Sequence, residues 1–149
     1  MNSKVDISSY NLDELTQFLS DISEKAGVKI EKYRARQIYS FIVKGAENFS
    51  EFSNIPKNIR DVLNENAYLT LPKIETKLVS KIDGTVKYLF KLHDGEFIES
   101  VFMRYEHGNT LCISSQVGCR MGCRFCASTI GGKVRDLTPS EILDQVMFT

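Results

Sequence analysis

Four cysteines are the residues of this chain whose type and spacing could carry chemistry. All of them lie within fifteen consecutive residues, and none occurs among the first 111 residues. The four are Cys112, Cys119, Cys123 and Cys126. Cysteines that only fill a core should be scattered along a chain, so this clustering indicates metal ligands or catalytic thiols rather than disulfide partners.

The last three cysteines form a C-x3-C-x2-C motif that could hold an iron–sulfur cluster. Three thiolates on one short loop can bind three corners of a cubane, because cysteine is the usual ligand of iron in such clusters. The fourth iron would then be open to a substrate. Gly118 and Gly122 give the backbone the freedom to wrap closely. Arg120 and Arg124 would offset the negative charge of the thiolates.

Zinc and a fully ligated cluster are the alternatives that the cysteines leave open. Cys112 could complete a four-cysteine zinc site, although such sites more often join two C-x2-C pairs across a longer spacer. Here only Cys123 and Cys126 form such a pair. The zinc alternative would be an RNA-binding module with a structural metal. A cluster with Cys112 as its fourth ligand would suit a small electron carrier.

The residues around the cysteine loop predict a strand before it and a helix after it. Residues 110–114 have the pattern of a short strand, and Thr138 with Glu141 fits a capping box whose first helical residue is Pro139. The apolar stripe of the predicted helix is made of Ile142, Leu143, Val146 and Met147. A strand, a ligand loop and a helix in this order predict the first βα unit of a parallel sheet or barrel. That domain would be incomplete, because the chain stops at Thr149.

An antiparallel meander is predicted upstream of this unit. Apolar and charged residues alternate in three predicted strands, at residues 74–82, 85–92 and 96–104. Asp83-Gly84 and Asp94-Gly95 are typical of the hairpin turns that join such strands.

Glu99 is the residue of the third predicted strand that could have a catalytic role. It shares its side of the strand with Phe97, Val101 and Met103. A carboxylate on a buried apolar face is costly unless it is paired or reactive. The alternative is that this side faces solvent while Ile98 points inward, and the sequence leaves both open.

The first part of the chain has the pattern of three short helices. Asn11 and Glu14 fit a capping box at the start of the first helix. Gly45 is suited to end the second helix, and Pro56 to precede the third. The predicted apolar faces comprise Leu12, Leu15, Phe18, Leu19, Ile22, Tyr33, Ile38, Phe41, Ile42, Ile59, Val62 and Leu63. Three such helices with polar connections predict a small bundle.

The overall composition is that of a globular domain of 149 residues without a net charge. Basic and acidic residues both number 19, so the chain lacks the excess of positive charge of a dedicated nucleic-acid binder. One segment is basic nevertheless and could contact phosphates; its cations are Lys25, Lys29, Lys32, Arg34, Arg36 and Lys44. No apolar run approaches the roughly 18 residues that a membrane span needs. The amino terminus lacks the apolar stretch of a signal peptide, so we expect a cytoplasmic protein that does not bind membranes.

Several segments together resemble a known enzyme family. The C-x3-C-x2-C motif with an aromatic residue, Phe125, before its last cysteine resembles the radical S-adenosylmethionine superfamily. The segments at residues 83–85, 97–101, 111–119 and 137–146 are similar to the RlmN/Cfr family of RNA methyltransferases, and most similar to its RlmN branch. The similarity covers essentially the whole chain, and the cysteine region is its most diagnostic part.

The resemblance implies roles for six residues. In this family the motif cysteines bind a 4Fe–4S cluster, S-adenosylmethionine binds the open iron, and a protein–RNA adduct is resolved through a transient disulfide. The implied cluster ligands are Cys119, Cys123 and Cys126. Glu99 would be the proton acceptor and Cys112 the cysteine of the transient disulfide. Phe125 would lie on the adenine side of S-adenosylmethionine.

The implied activity is methylation of adenine in 23S rRNA and tRNA through a methylcysteine intermediate. The resemblance favours C2 as the methylated carbon and leaves open C8, which Cfr-type members modify. An electron donor such as flavodoxin or ferredoxin would reduce the cluster, and the enzyme would be a cytoplasmic monomer. In the family the methyl-carrying cysteine lies near the carboxyl terminus, whereas no cysteine follows Cys126 here. We therefore expect this chain to be inactive alone.

The implied fold is an α+β accessory region followed by the first βα unit of a truncated α/β barrel. The accessory region would comprise a helical RNA-binding domain at residues 1–70 and an antiparallel β extension at residues 71–106. The start of the barrel, with the cluster loop and the first helix, would occupy residues 107–149.

Overall fold

The computed structural model describes residues 4–149 and divides them into two compact units. The first unit ends at Thr70, and the second runs from Leu71 to Thr149. Residues 1–3, with which the first predicted domain begins, lie outside the described residues. Within the described part, every helix is too short or too polar to cross a membrane.

Three helices form most of the first unit. They are α1 (Leu12–Ala26), α2 (Arg34–Val43) and α3 (Lys57–Asn66). Two short parallel strands, β1 (Val5–Asp6) and β2 (Ala67–Tyr68), pair the beginning of this unit with its end. These strands could not be predicted from the sequence, because two residues are too few to show a period.

The predicted helix boundaries in the first unit are confirmed. Asn11 Oδ1 accepts hydrogen bonds from the backbone N–H groups of Asp13 and Glu14, both at 2.9 Å. Glu14 Oε2 accepts the N–H of Asn11 at 2.8 Å and completes the capping box. Gly45, with φ 76°, follows the end of α2, and Pro56 directly precedes α3.

The core of the first unit combines the predicted helix faces with an aromatic cluster. Phe52 stacks on Phe41 with 4.9 Å between ring centroids, and it meets Phe49 edge-on at 5.4 Å. The buried helix residues include Leu15, Leu19, Ile22, Ile38, Ile59, Val62 and Leu63. The expectation for Tyr33 is wrong, because its side chain precedes α2 and is exposed.

A four-stranded antiparallel sheet forms the first half of the second unit. Its strands lie in chain order: β3 (Lys73–Val79), β4 (Val86–Lys91), β5 (Phe97–Tyr105) and β6 (Gly108–Cys112). The three predicted strands correspond to β3, β4 and β5. One face of the sheet is buried, and it includes Val86, Tyr88, Phe90, Ile98 and Ser100.

The strand expected to open a parallel βα unit is instead the fourth strand of this sheet. β6 ends at Cys112 and pairs antiparallel with β5, with Cys112 opposite Val101. The expected boundary between residues 106 and 107 falls inside the β5–β6 hairpin. Residues 106–107 form the turn, and Gly108 follows them with φ 131°.

The cysteine loop lies between two further strands, which lead into the last helix. β7 (Gln116–Gly118) pairs antiparallel with β8 (Lys133–Asp136), and α4 (Pro139–Met147) follows. Every strand pair described between Leu71 and Thr149 is antiparallel. The mixed helix and sheet architecture is therefore confirmed, whereas the parallel start of a barrel is not.

The capping box of α4 is confirmed, but most of its predicted apolar stripe is exposed; Ile142 is half-buried and packs against the core of the second unit. Thr138 Oγ1 accepts the N–H of Glu141, and Glu141 Oε2 accepts the N–H of Thr138. The apolar residues Leu143, Val146 and Met147 are exposed. The buried residues of α4 are Ser140, Glu141 and Gln145. Polar side chains can replace an apolar stripe in this way when hydrogen bonds satisfy them.

Candidate active site

The cysteine loop, residues 119–132, is closed at its base by a very near approach of two glycines. The N–H of Cys119 donates a hydrogen bond of 3.1 Å to the carbonyl oxygen of Gly132. A Cβ atom at Gly118 would lie 1.9 Å from the same oxygen, and Gly118 has a φ of 69°. Only glycine therefore fits at position 118, and the two ends of the loop are held together.

The three motif cysteines are free, half-buried thiols on this loop. The N–H of Cys126 bonds to the carbonyl oxygen of Cys123 at 3.0 Å, and Thr129 Oγ1 donates to the carbonyl oxygen of Cys126 at 2.9 Å. The N–H of Met121 approaches Cys119 Sγ at 3.5 Å. These local bonds shape the backbone between the thiols.

The donor set of the loop fits an iron–sulfur cluster by its chemistry. Residues 119–132 contain three thiols and no carboxylate or imidazole, and thiolates are the ligands that iron–sulfur clusters take. In residues 4–149, no three His, Cys, Asp or Glu side chains are gathered as ligands of a single metal ion. The fourth cysteine, Cys112, is exposed at the end of β6.

Glu99 lies on the open face of the sheet, as the solvent-facing alternative described. Ile98 and Ser100 point into the core, whereas Phe97 and Glu99 are exposed. Glu99 Oε1 forms an ion pair of 2.6 Å with Lys87 Nζ, and its side chain is 52% exposed. The carboxylate is therefore paired, but it remains accessible.

Glu99 and Cys112 share this open face. In the sheet register Val101 pairs with Lys87 on one side and with Cys112 on the other. Glu99 is two residues from Val101, and alternate residues of a strand point to the same face. The two residues to which the resemblance assigned proton transfer and disulfide formation are thus presented on one surface.

A cleft of about 290 Å³ connects this surface with the base of the cysteine loop. Phe97 and Glu99 line it from β5, and Gly118 lines it from the end of β7. The loop and β8 contribute Ser128, Gly131, Gly132 and Val134. The cleft therefore brings the candidate proton acceptor and the base of the candidate cluster loop to one cavity.

Three other predicted residues of the loop are at the surface. Arg120, Arg124 and Phe125 are exposed, and the Phe125 ring is 94% accessible. The hydrogen bond from Lys133 lowers the pKa of Asp136, and the charge of Arg120 adds to this effect. The structure thus places the Phe125 ring outward from the loop.

Gln145 is a buried polar residue of α4 whose role could not be predicted from the sequence. Its Oε1 accepts hydrogen bonds from Ser100 Oγ at 2.7 Å and from the N–H of Ser114 at 2.8 Å. Its Nε2 donates to the carbonyl oxygens of Ser114 and Glu141. Ser114 Oγ in turn donates to the carbonyl oxygen of Glu99 at 2.8 Å. This network joins α4 to the strand that carries Glu99.

Arg135 is a second residue whose role the sequence did not reveal. It lies on β8, and its guanidinium bonds to Asp94 and Glu141. The hydrogen bond to Glu141 raises the pKa of Arg135 most, with Asp94 adding to the effect against burial. Burial acts to raise the pKa of Glu141, but the hydrogen bonds from Arg135 and from the N–H of Thr138 lower it overall.

The basic segment of the first unit is only partly free to contact a ligand. Lys29 pairs with Glu31 at 2.6 Å, and Arg34 Nη1 donates to Gln37 Oε1 and to the carbonyl oxygen of Asn54. The remaining predicted cations, Lys25, Lys32, Arg36 and Lys44, are exposed.

Both units are similar in sequence to proteins named as RNA methyltransferases. Residues 5–69 match the family described as ribosomal RNA large subunit methyltransferase N-terminal domain. Proteins named "Probable dual-specificity RNA methyltransferase RlmN" are 50% identical in Clostridium botulinum, over 95% of this chain, and 48% identical in Clostridium tetani, over 99%. The protein of the same name from Lachnospira eligens is 52% identical over 95% of this chain.

A solved structure has the same fold. The crystal structure of a radical SAM methyltransferase from Sphaerobacter thermophilus matches 97% of this chain with a TM-score of 0.79 and 33% identity. The match covers 41% of that protein. The chain likewise spans only 39% to 40% of the length of the three named relatives.

Proposed function

Because this chain is homologous to the amino-terminal two-fifths of the RlmN family, we propose that it is the cluster-binding and proton-accepting part of a radical S-adenosylmethionine RNA methyltransferase. The observation that best supports this function is the cleft that Glu99 shares with the base of the three-cysteine loop. The names of the relatives indicate the reaction class, and individual residues of this chain would carry out the particular steps.

Cys119, Cys123 and Cys126 would hold a 4Fe–4S cluster through their thiolates. When bound, the cluster and S-adenosylmethionine supply one-electron chemistry that activates a methyl group for attack on an aromatic carbon. The chain's contribution is to place three soft ligands on a loop whose ends Gly118 and Gly132 hold together. Phe125 would cover the adenine side of S-adenosylmethionine, and a flavodoxin or ferredoxin would donate the electron.

Glu99 would accept the proton that leaves the modified carbon of the base. Lys87 occupies Oε1 of the carboxylate, which leaves Oε2 to take that proton. Cys112 would form the transient disulfide that releases the RNA, and the sheet register supports this role because it presents the Cys112 thiol on the same face as Glu99. The substrate would be adenine C2 in 23S rRNA and tRNA.

The first unit would bind the folded RNA. Its match to the methyltransferase N-terminal domain and its exposed cations support this assignment. We place the RNA-binding domain at residues 1–70 and the start of the radical S-adenosylmethionine barrel after the antiparallel sheet. The whole enzyme would be a cytoplasmic monomer.

Electron paramagnetic resonance of the reconstituted, reduced chain tests this function. We expect the signal of a reduced 4Fe–4S cluster, and we expect S-adenosylmethionine to change it, because an open iron can take a new ligand. Cys112→Ala should leave both properties intact. Loss of the signal in Cys112→Ala would show a fourth cysteine ligand. Either that loss or a signal that S-adenosylmethionine does not change would contradict the proposed enzyme.

A further inference from the structure

Arg135 makes several hydrogen bonds that join it to other elements of the second unit. A guanidinium has five N–H donors, and Arg135 forms four hydrogen bonds within this unit. Nε donates to Asp94 Oδ2 at 2.7 Å, and Nη2 forms an ion pair with the same oxygen at 2.6 Å. Nη2 and Nη1 donate to the two oxygens of Glu141 at 2.8 and 2.7 Å, and Nη1 also donates to the carbonyl oxygen of Asp136.

The two carboxylates belong to different elements, so Arg135 joins three parts of the second unit. Asp94 lies in the turn between β4 and β5, and its Oδ1 also accepts the N–H of Glu96. Glu141 is in the first turn of α4, and its side chain is only 5% exposed. Arg135 itself is on β8, the strand that closes the cysteine loop. A bidentate arginine–carboxylate pair of this kind restricts orientation as well as distance.

This position also separates Arg135 from the other cations near the cysteines. Lys133, on the same strand, pairs with Asp136 of its own strand at 2.6 Å. Arg120 and Arg124 are exposed on the loop itself. Most of the N–H groups of Arg135 are already engaged by partners within the protein.

We infer that Arg135 is the positioning residue of the cysteine loop, and that it holds β8 against the β4–β5 turn and α4 so that the loop faces Glu99 across the cleft. The next residue on one side, Val134, lines that cleft, and so do Glu96 and Phe97, which follow the Asp94 turn. Arg135 thus connects both walls of the cavity. We call the contacts of Arg135 with Asp94 and Glu141 the clamp. The role of the cleft in catalysis rests on the function proposed above, whereas the clamp is independent of that function.

Hydrogen exchange of the complete chain without metal tests the clamp. In Arg135→Met, we expect exchange of the Cys119 N–H, which bonds to Gly132, and of the Leu137 N–H, which bonds to Ser115, to accelerate about tenfold, the change that about 1.4 kcal/mol produces. Lys133→Met removes one positive charge and one ion pair from the same strand, and it should leave these amides unchanged. Arg135→Lys, which cannot bond to both carboxylates in the same way, should give an intermediate rate.

If Arg135→Met does not fold, Asp94→Asn provides a second test of the clamp. It removes only the charge that attaches β8 to the turn, and it should accelerate the same two amides to a smaller extent. Unchanged exchange in the folded Arg135 and Asp94 variants, or equal acceleration in Lys133→Met, would overturn the assignment of Arg135.

Iron uptake by the same variants separates this assignment from the proposed function. With the clamp intact, the wild-type chain and Lys133→Met should retain equal amounts of iron through gel filtration after reconstitution, and Arg135→Met should retain less. If the wild-type chain binds no iron, the proposed cluster function fails, while the exchange rates still decide whether Arg135 holds the loop.

Discussion

Gly118 is the residue at which the shape of the cysteine loop depends most directly on the absence of a side chain. A Cβ there would lie 1.9 Å from the carbonyl oxygen of Gly132, well inside any contact distance. Gly122 has almost the same φ, 68° against 69°, but a Cβ there would meet nothing within 4 Å. The two glycines therefore separate the effect of backbone strain from that of a steric clash.

Gly118→Ala should destabilise the second unit more than Gly122→Ala. A positive φ alone costs about 1–2 kcal/mol for a residue with a Cβ, and only position 118 adds the clash that would push β7 and β8 apart. Urea unfolding of the two variants measures the difference. Equal losses of stability would mean that the close approach of Gly118 and Gly132 does not exist in solution.

At single residues, local chemistry could be predicted from the sequence and distant partners could not. The capping residues Asn11 and Thr138 act on neighbours three positions away, so their patterns were sufficient. The role of Arg135 could not be predicted, because its partner Asp94 is 41 residues away in the chain. The three motif cysteines were found from their spacing, although their ligand role stays a prediction.

At the scale of elements, the register of the sheet is what turns separate residues into a candidate site. Strand alternation predicted β4 and β5 well, but it gave no sign that the segment ending at Cys112 would pair with β5. That pairing decides which face Cys112 occupies. In α4 the period was correct but most of the predicted apolar stripe is exposed, because Glu141 and Gln145 are satisfied by hydrogen bonds from other elements.

The clamp between β8 and α4 should make the second unit sensitive to acid. Burial acts to raise the pKa values of Glu141 and Asp94, but the hydrogen bonds from Arg135 and from backbone N–H groups, together with the charge of Arg135, lower them overall from their ordinary values of 4.5 and 3.8. A carboxylate whose pKa is lower in the folded state contributes stability above its unfolded pKa and loses it as the pH falls through the folded value. The free energy of unfolding should therefore decrease below about pH 4.5.

Urea titrations of the wild-type chain and of Glu141→Gln between pH 7 and pH 3 check this expectation. The variant should be less stable at pH 7 and should depend less on pH, since the side-chain amide that replaces the carboxylate does not titrate. A variant with the same acid dependence as the wild type would show that Glu141 is not responsible.

At the scale of the whole molecule, the chain consists of two units that would have different roles in the proposed enzyme. The first unit ends at Thr70 and has exposed cations but no thiol, and the second holds all four cysteines and Glu99. Hydrophobic periodicity was enough to distinguish a helical part from a β-rich part. It could not predict the parallel pairing of β1 with β2, which joins residues more than 60 positions apart.

Charge reversal in the first unit should weaken the binding of RNA. Lys32→Glu combined with Arg36→Glu should lower the affinity of the chain for a folded RNA hairpin, and it should reduce the slope of log affinity against log salt by about two if each cation contacts one phosphate. The matched control is Lys73→Glu with Lys81→Glu, which changes the net charge equally on residues of the second unit. Equal losses in both double variants would reduce the effect to overall charge and contradict a specific RNA surface.

The central claim is that Cys119, Cys123 and Cys126 hold an iron–sulfur cluster and Cys112 does not. Iron, sulfide and zinc per chain, measured after anaerobic purification and reconstitution, test it most directly. We expect about four irons and four sulfides per chain, the same in Cys112→Ala, and a large loss in Cys123→Ala. One zinc per chain without colour, lost equally when Cys112 or Cys123 is replaced, would contradict the claim and make the cysteines a structural zinc site.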